Sequence, residues 1–163
     1  MSSGPQVILG PGGLEAMLDR AWHRPTAKDW AEVLAGLPLF SRLAKRQLRK
    51  IAGVAEFKEY GQGDFVTQAG EPGDAFYVIL SGQAKVVGKP RARVLRRGDY
   101  FGEMALIDGE PRSATVAAAS ALQTMRLPRR PFLRLLEQEP RIAIPMMANL
   151  AARVRRLERP SGA

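Results

Sequence analysis

The chain has 163 residues, of which 45% are hydrophobic, so it can bury one sizeable core and is not globally disordered. It contains no cysteine and a single histidine, His23, which excludes a disulfide framework and a thiolate zinc site. Its formal net charge of +9 makes nucleic acid or another polyanion a partner to consider.

The charge is distributed unevenly along the chain. Residues 126–159 contain nine arginines against three glutamates, whereas residues 99–110 contain four acids and no base. An anion-binding site near residues 99–110 would therefore depend on specific geometry, since the local charge is negative.

The sequence lacks the signals of membrane insertion and secretion. No apolar run approaches the roughly 18 residues that a transmembrane helix requires. The N-terminus has no basic start followed by a long apolar stretch, so it does not resemble a signal peptide. We therefore expect a cytoplasmic protein.

The first third of the chain predicts short helices. Residues 1–13 are rich in glycine, proline and serine, and we expect them to be poorly ordered. Residues 14–22 and 29–37 each predict a short helix, and a further helix ends at Gly53. We assign residues 1–33 to an N-terminal extension.

Glycine turns separate short apolar or alternating runs in the middle of the chain. The runs "AFYVILSG", "QAKVVG", "ARVLRRG", "SATVAA" and "LQTMRL" are typical of strands. Residues 55–127 therefore predict an antiparallel β-roll or jelly roll, and the whole chain an α+β protein that is mainly β.

Residues 131–158 predict two C-terminal helices, followed by a tail at 159–163. Pro131 suits the first turn of the first helix, and Pro145 should kink or delay the second. Apolar residues form a seam along the second helix: Ala143, Met147, Leu150, Val154 and Leu157. This seam could pack against the β-roll or pair with a second subunit, and two heptads do not decide between these alternatives.

Residues 101–116, "FGEMALIDGEPRSATV", have the composition of a phosphate and sugar pocket. Gly102 opens a short predicted helix, whose free N–H groups and dipole favour an anion. The turn "DGEP" brings Arg112 back over the helix start, where its fork matches two phosphate oxygens, and Ser113 adds a hydroxyl. Glu103 would repel a phosphate but can accept hydrogen bonds from a polyol such as ribose. The alternative is an ordinary surface turn in which Glu103 pairs with Arg112.

This segment resembles the phosphate-binding cassette of the cyclic nucleotide-binding domain family. That family includes the β-roll modules of bacterial catabolite-activator regulators, cyclic-nucleotide-gated channels and protein kinase regulatory subunits. The resemblance continues in "LAGLPLFSRL", "GDFVTQAGEPGDAFYVILSGQAKV" and "RRGDYFGE". It places the domain at residues 34–158.

The resemblance implies a role for each matching residue. Arg112 would hold the cyclic phosphate with help from Ser113 and from the backbone N–H groups near two further residues, Met104 and Ala105. Glu103 would accept the ribose 2′-hydroxyl, and Gly102 would let the backbone approach the sugar. Val86 would lie against the base, and Arg153 on the last helix would cap it.

The family resemblance favours a stand-alone, non-enzymatic sensor that moves its C-terminal helices when it binds cyclic AMP, with cyclic GMP as the competitor. Ser113 stands where some members that bind cyclic GMP have threonine. No metal is expected, and one histidine outside the roll supplies neither a metal cluster nor a general base for an enzyme.

The partners of such a sensor are less defined. An unknown protein effector is expected, and the chain is either a monomer or a dimer through its C-terminal helix. One alternative is a fragment of a larger transcription factor or channel. Another is a DNA-associated regulator that uses residues 126–159, although no recognition helix follows and a solvated basic face explains those arginines more simply.

Overall fold

The computed structural model describes residues 25–88 and 93–159, and every structural statement below refers to these ranges. The predicted disorder of residues 1–13, the predicted helix at 14–22, His23 and residues 160–163 of the tail lie outside them.

Five α-helices occur within the described ranges; four of them flank the β-strands in sequence, and the third lies between two strands. Their bounds are α1 Ala27–Ala35, α2 Lys45–Ala52, α3 Glu103–Asp108, α4 Arg129–Gln138 and α5 Ala143–Glu158. Two short 3₁₀ turns add Pro38–Phe40 and Pro140–Ile142.

The strands form two antiparallel four-stranded sheets, which confirms the predicted β-roll. The strands are β1 Glu56–Tyr60, β2 Phe65–Thr67, β3 Ala75–Ser81, β4 Ala84–Val87, β5 Val94–Leu95, β6 Tyr100–Phe101, β7 Thr115–Ala118 and β8 Leu122–Pro128. One sheet has the order β1-β8-β3-β6 and the other the order β2-β7-β4-β5. Each predicted apolar run therefore contains a strand.

Helix α1 begins and ends two residues earlier than the sequence predicted. The backbone N–H of Asp29 donates to the Thr26 hydroxyl (3.3 Å), and the backbone N–H of Thr26 donates to the Asp29 carboxylate (2.7 Å). This reciprocal capping box fixes the start at Ala27. Gly36 follows the last helical residue, where glycine commonly ends a helix.

The two faces of β3 belong to two different apolar clusters. Phe76, Val78 and Leu80 pack on the helices, together with Phe40 of the first 3₁₀ turn and Phe132 of α4. Trp30 and Val33 of α1, which the predicted boundary assigns to the extension, lie in the same cluster. On the opposite face, Ile79 packs with a smaller cluster: Ala84, Val86, Leu95, Val116, Ala118 and Leu122. The alternation of side chains along one strand therefore joins the roll to its helices.

The prolines of the C-terminal helices take positions that a helix tolerates. Pro131 is the third residue of α4, and Pro145 is the third residue of α5. The first turn of a helix leaves its N–H groups without intrahelical partners, so the missing proline N–H costs nothing there. The 3₁₀ turn Pro140–Ile142 precedes α5, which agrees with a delayed start of the regular helix.

Three of the five residues of the predicted α5 seam do not pack on the roll, whereas Leu150 contacts the core. Met147, Val154 and Leu157 are 59%, 51% and 80% exposed. The buried side chains of this helix are instead Met146 and Asn149. Asn149 lies inside because its amide donates to the carbonyl of Leu39 (2.7 Å), a bond that compensates for its burial. The packing interpretation of the seam is therefore wrong for its three exposed members.

Candidate functional site

One cavity of about 630 Å³ brings all the predicted site residues together. It lies between α3 with its flanking turns and the sheet that contains β4 and β7. Its lining includes the eight residues that the sequence singled out: Val86, Gly102, Glu103, Met104, Ala105, Arg112, Ser113 and Arg153. A cavity of this size accommodates a small organic ligand.

Gly102 allows the arginine to approach the start of α3. Its φ of +81° lies in the left-handed region, which strains any residue with a side chain. A Cβ atom here would lie 2.5 Å from Nη1 of Arg112 and 2.9 Å from the carbonyl oxygen of Ala75. The glycine therefore serves both the turn and the close contact, and Arg112 returns over the helix start as predicted.

Arg112 is held in a buried position by contacts from β3 and the preceding loop. Its Nη2 donates to the carbonyl of Ala75 (2.6 Å) and reaches the carboxylate of Asp74 (3.4 Å). Its backbone N–H donates to Glu71, and its Cζ lies 5.8 Å from the ring centroid of Tyr77. Asp74 is 65% exposed, so this ion pair is weak and leaves Arg112 able to bind an anion.

Glu103 is buried and pairs with α5, not with Arg112. Its Oε1 accepts a hydrogen bond from Nη1 of Arg153 (2.6 Å). Its Oε2 is buried and has no partner within hydrogen-bond distance among the described residues, although the Tyr100 hydroxyl is close enough to interact with the carboxyl. The surface-turn alternative, in which Glu103 pairs with Arg112, is therefore wrong. An unsatisfied buried acceptor is costly, and a donor on a ligand would remove that cost.

Burial raises the pKa of Glu103 above its usual value, and the charge of Arg153 opposes this increase. A carboxyl group with a raised pKa binds more protons in the folded state, so its contribution to stability declines as pH rises through the folded pKa.

We expect the substitution Glu103→Gln to remove this pH dependence. Relative to the wild type, the variant should gain stability as pH rises from about 4 toward 7, because the wild type then carries a buried charge. Urea unfolding of both proteins across that pH range measures the difference. A difference that is constant with pH would contradict the prediction.

Arg153 reaches the cavity from α5, where its guanidinium contacts Glu103, the residue predicted to bind the ribose. Besides Glu103, its Nη1 lies 3.8 Å from Sδ of Met104. Its role as a cap on a base stays a prediction. Arg153 does not simply lie on a solvated face of the helix, because its bond to Glu103 joins α5 to α3.

The wall around Val86 contains residues that the sequence did not single out. Leu95 and Val116 are buried beside it, and Thr67 and Arg93 also line the cavity. These residues come from three separate strands or their ends, so no local motif marks them. The strand pattern predicted the strands that carry them but not the surface that they share.

Two kinds of site are not found in the described part of the chain. No three acidic or histidine side chains there cluster in a way that could hold a metal ion. None of the described helices has the length and apolarity needed to cross a bilayer.

The fold and the cavity agree with the comparisons with known proteins. The model of the cyclic nucleotide-binding domain family matches residues 57–139, about half of the chain. The cAMP-dependent protein kinase regulatory subunit of Mycosarcoma maydis is 40% identical over 117 residues, which are 66% of this chain and 22% of that relative. The chain belongs to the cyclic nucleotide-binding domain family and spans about a fifth of that relative's length.

Two solved structures support the same assignment. The N-terminal domain of a transcriptional regulator from Streptomyces coelicolor A3(2) superposes with a TM-score of 0.69 at 27% identity, covering 77% of this chain and 94% of that one. The cAMP-bound PfPKA-R gives a TM-score of 0.61 at 28% identity, covering 80% and 44% respectively. These relatives are regulatory domains and not catalytic ones.

Proposed function

We propose that the chain is a non-enzymatic sensor module that binds a cyclic nucleotide and transmits occupancy through its C-terminal helices. Cyclic AMP is the favoured ligand. Residues 34–158 form the binding module, with Arg112 and Ser113 on the phosphate, Glu103 on the ribose and Val86 against the base.

One observation carries this proposal. A buried arginine and a buried carboxylate with an unbonded oxygen line the same cavity, on either side of the start of α3. A cyclic phosphate fused to a ribose presents an anion and, on the same rigid pair of rings, a hydroxyl group that can donate a hydrogen bond. The first N–H groups of α3, near Met104 and Ala105, add donors without intrahelical partners. A ligand with only an anion would leave Oε2 of Glu103 unsatisfied.

The apolar wall supports a purine without fixing which one. Leu95 and Val116 can pack on either base, and the cAMP-bound relative favours cyclic AMP. Arg93 favours the second candidate, cyclic GMP, because its guanidinium only donates, and guanine offers two adjacent acceptors where adenine offers one. The ligand preference is therefore the first quantity to measure.

Calorimetric titration of the purified chain with cyclic AMP and cyclic GMP, after bound ligand has been stripped, tests the proposal. We expect micromolar or tighter binding, with cyclic AMP preferred. Chromatography of the nucleotide after long incubation should return it unchanged. The absence of heat and of a thermal shift with both ligands would contradict a sensor, and a hydrolysed nucleotide would contradict the non-enzymatic role.

We expect 2′-deoxy cyclic AMP to bind more weakly than cyclic AMP by about 1.5–3 kcal/mol, the usual worth of a hydrogen bond to a charged group. The deoxy ligand cannot donate to the buried carboxylate of Glu103. Competition titration measures the difference. In the Glu103→Ala variant the two ligands should bind alike. Equal binding of both ligands to the wild type would remove the proposed role of Glu103.

Two contacts give the proposed sensor a route from ligand to helices. Arg153 of α5 bonds Glu103, and Nη2 of Arg129, the first residue of α4, donates to the carbonyl of Ile107 at the end of α3 (3.1 Å). Both C-terminal helices are therefore bonded to the short helix that would contact the phosphate. A shift of α3 on binding would change both bonds.

The exposed seam of α5 supports the second interpretation of that pattern, a helix pair between two copies. We include a dimer through Met147, Val154 and Leu157 in the proposal. Sedimentation over a range of concentrations, with and without nucleotide, measures the oligomeric state. A monomer under all these conditions would contradict the dimer.

A further inference from the structure

A second cleft, of about 420 Å³, lies between α2 and the 3₁₀ turn that precedes α5. It is lined by Arg46, Gln47 and Lys50 on one side and by Glu139, Arg141 and Ile142 on the other. None of these residues lines the nucleotide cavity. We call this surface the α2 cleft.

The α2 cleft has an excess of positive charge. Glu139 pairs with Lys50, and the pKa of Glu139 is lowered first by that bond and also by the nearby charge of Arg46. Glu139, the single acid that lines the cleft, is therefore paired with Lys50, and the guanidinium groups of Arg46 and Arg141 have no carboxylate within ion-pair distance among the described residues.

Neutral hydrogen bonds and buried apolar side chains also hold the two sides of the cleft in place. The side-chain amide of Gln47 donates to the carbonyl of Arg141 (3.3 Å), and its oxygen accepts from the backbone N–H of Ala44 (3.0 Å). The inner face of α2 is anchored by Leu48, Ile51 and Ala52, which are buried. Arg46 and Arg141 thus line one cleft whose floor does not depend on their charges.

The positive surface continues beyond the cleft. No acid occurs from residue 41 to residue 55, and the side chains of Arg42, Lys45 and Arg49 are exposed. A ligand that uses this whole surface must carry several negative charges, one of which enters the cleft.

We infer that the α2 cleft and the exposed cations of α2 bind an acidic segment of a partner protein, with one Asp or Glu side chain between Arg46 and Arg141. The cleft has no aromatic side chain on which a nucleobase could stack. Helix α2 has no large exposed apolar side chain that could insert into a membrane. A concave site suits one protruding carboxylate better than a broad duplex or bilayer surface.

Fluorescence anisotropy with a fluorescein-labelled, glutamate-rich dodecapeptide tests the inference at 50 and 200 mM NaCl, without nucleotide. We expect the double variant Arg46→Glu/Arg141→Glu to bind the peptide at least tenfold more weakly than the wild type. The matched control Arg155→Glu/Arg156→Glu makes the same charge change on exposed residues of α5 and should change binding less than threefold. If the Glu variant does not fold, the milder double variant Arg46→Gln/Arg141→Gln replaces it. We expect this variant to lose peptide affinity in the same direction but by a smaller factor.

Several outcomes would overturn the inference. These are no peptide binding by the wild type at 50 mM NaCl, an equal loss in the cleft variant and the α5 control, or a peptide affinity that both cleft variants leave unchanged. A DNA duplex or a phosphatidylserine vesicle that binds more tightly than the peptide and depends on the same two arginines would show a different class of partner. The nucleotide affinity of each variant reports on the other cavity, so failure here is distinguishable from failure of the proposed function.

Discussion

The substitution Arg112→Ala should remove most of the affinity for a cyclic nucleotide, with a loss of about 2–4 kcal/mol, or roughly 30- to 800-fold in Kd. The guanidinium is buried above Gly102 and bonded to the carbonyl of Ala75, so its position is fixed before a ligand arrives. A fork that is already oriented loses little conformational freedom when it binds two phosphate oxygens. Alanine removes both the charge and this pre-organisation.

Two further variants sharpen the measurement, which is calorimetric titration with cyclic AMP and cyclic GMP. Arg112→Lys keeps the charge but not the fork and should bind with intermediate affinity. Arg155→Ala removes an exposed arginine of α5 that does not line the cavity, and it should bind within twofold of the wild type. Full-strength binding by Arg112→Ala, in a protein whose thermal unfolding remains cooperative, would show that the phosphate lies elsewhere.

The substitution Phe132→Ala should reduce the free energy of unfolding by about 3–5 kcal/mol. Phe132 of α4 is fully buried and meets Phe40 edge to face, with ring centroids 6.1 Å apart. Phe40 in turn contacts Phe76 of β3, with centroids 6.5 Å apart. Alanine would leave a cavity where α4 joins the roll, and rigid strands on one side limit how far the cavity can collapse.

Urea unfolding measures this loss, and Phe65→Ala is its matched control. Phe65 is 56% exposed in β2, so the same chemical change there should cost less than about 1 kcal/mol. Equal costs at the two positions would contradict the assignment of Phe132 to the core. An unchanged m-value in both variants would show that the comparison concerns stability alone.

The cassette was predictable because its parts are local. A glycine that needs a positive φ, a short helix, a turn and an arginine lie within twelve residues, so their spacing specifies their geometry. Strand alternation and glycine turns specified the roll in the same way. The six predicted residues of the cassette line one cavity, and Val86 and Arg153, which only the family resemblance indicated, line it with them.

The remaining contacts join distant parts of the chain, and the sequence contained no local signal for them. Asp74 precedes β3 and contacts Arg112, which lies 38 positions later in the sequence. A local residue pattern does not predict a contact over that separation. The periodicity of α5 left two alternatives for its apolar seam open, because no local signal shows that Asn149 is buried. Its side-chain amide donates to the carbonyl of Leu39, which lies 110 positions away in the sequence.

The carboxylate of Glu103 has one oxygen on Arg153 and one without a partner, so in the proposed sensor the same group would contact both α5 and the ribose. Linkage requires that this coupling is reciprocal. If a protein binds α5 only when Arg153 contacts Glu103, it changes the affinity for the nucleotide by some factor, and the nucleotide changes the affinity for that protein by the same factor. In the proposed sensor, an effector bound to α5 would therefore help to set the affinity for the nucleotide. Nucleotide affinities measured on the isolated chain and on its complex would differ by that factor.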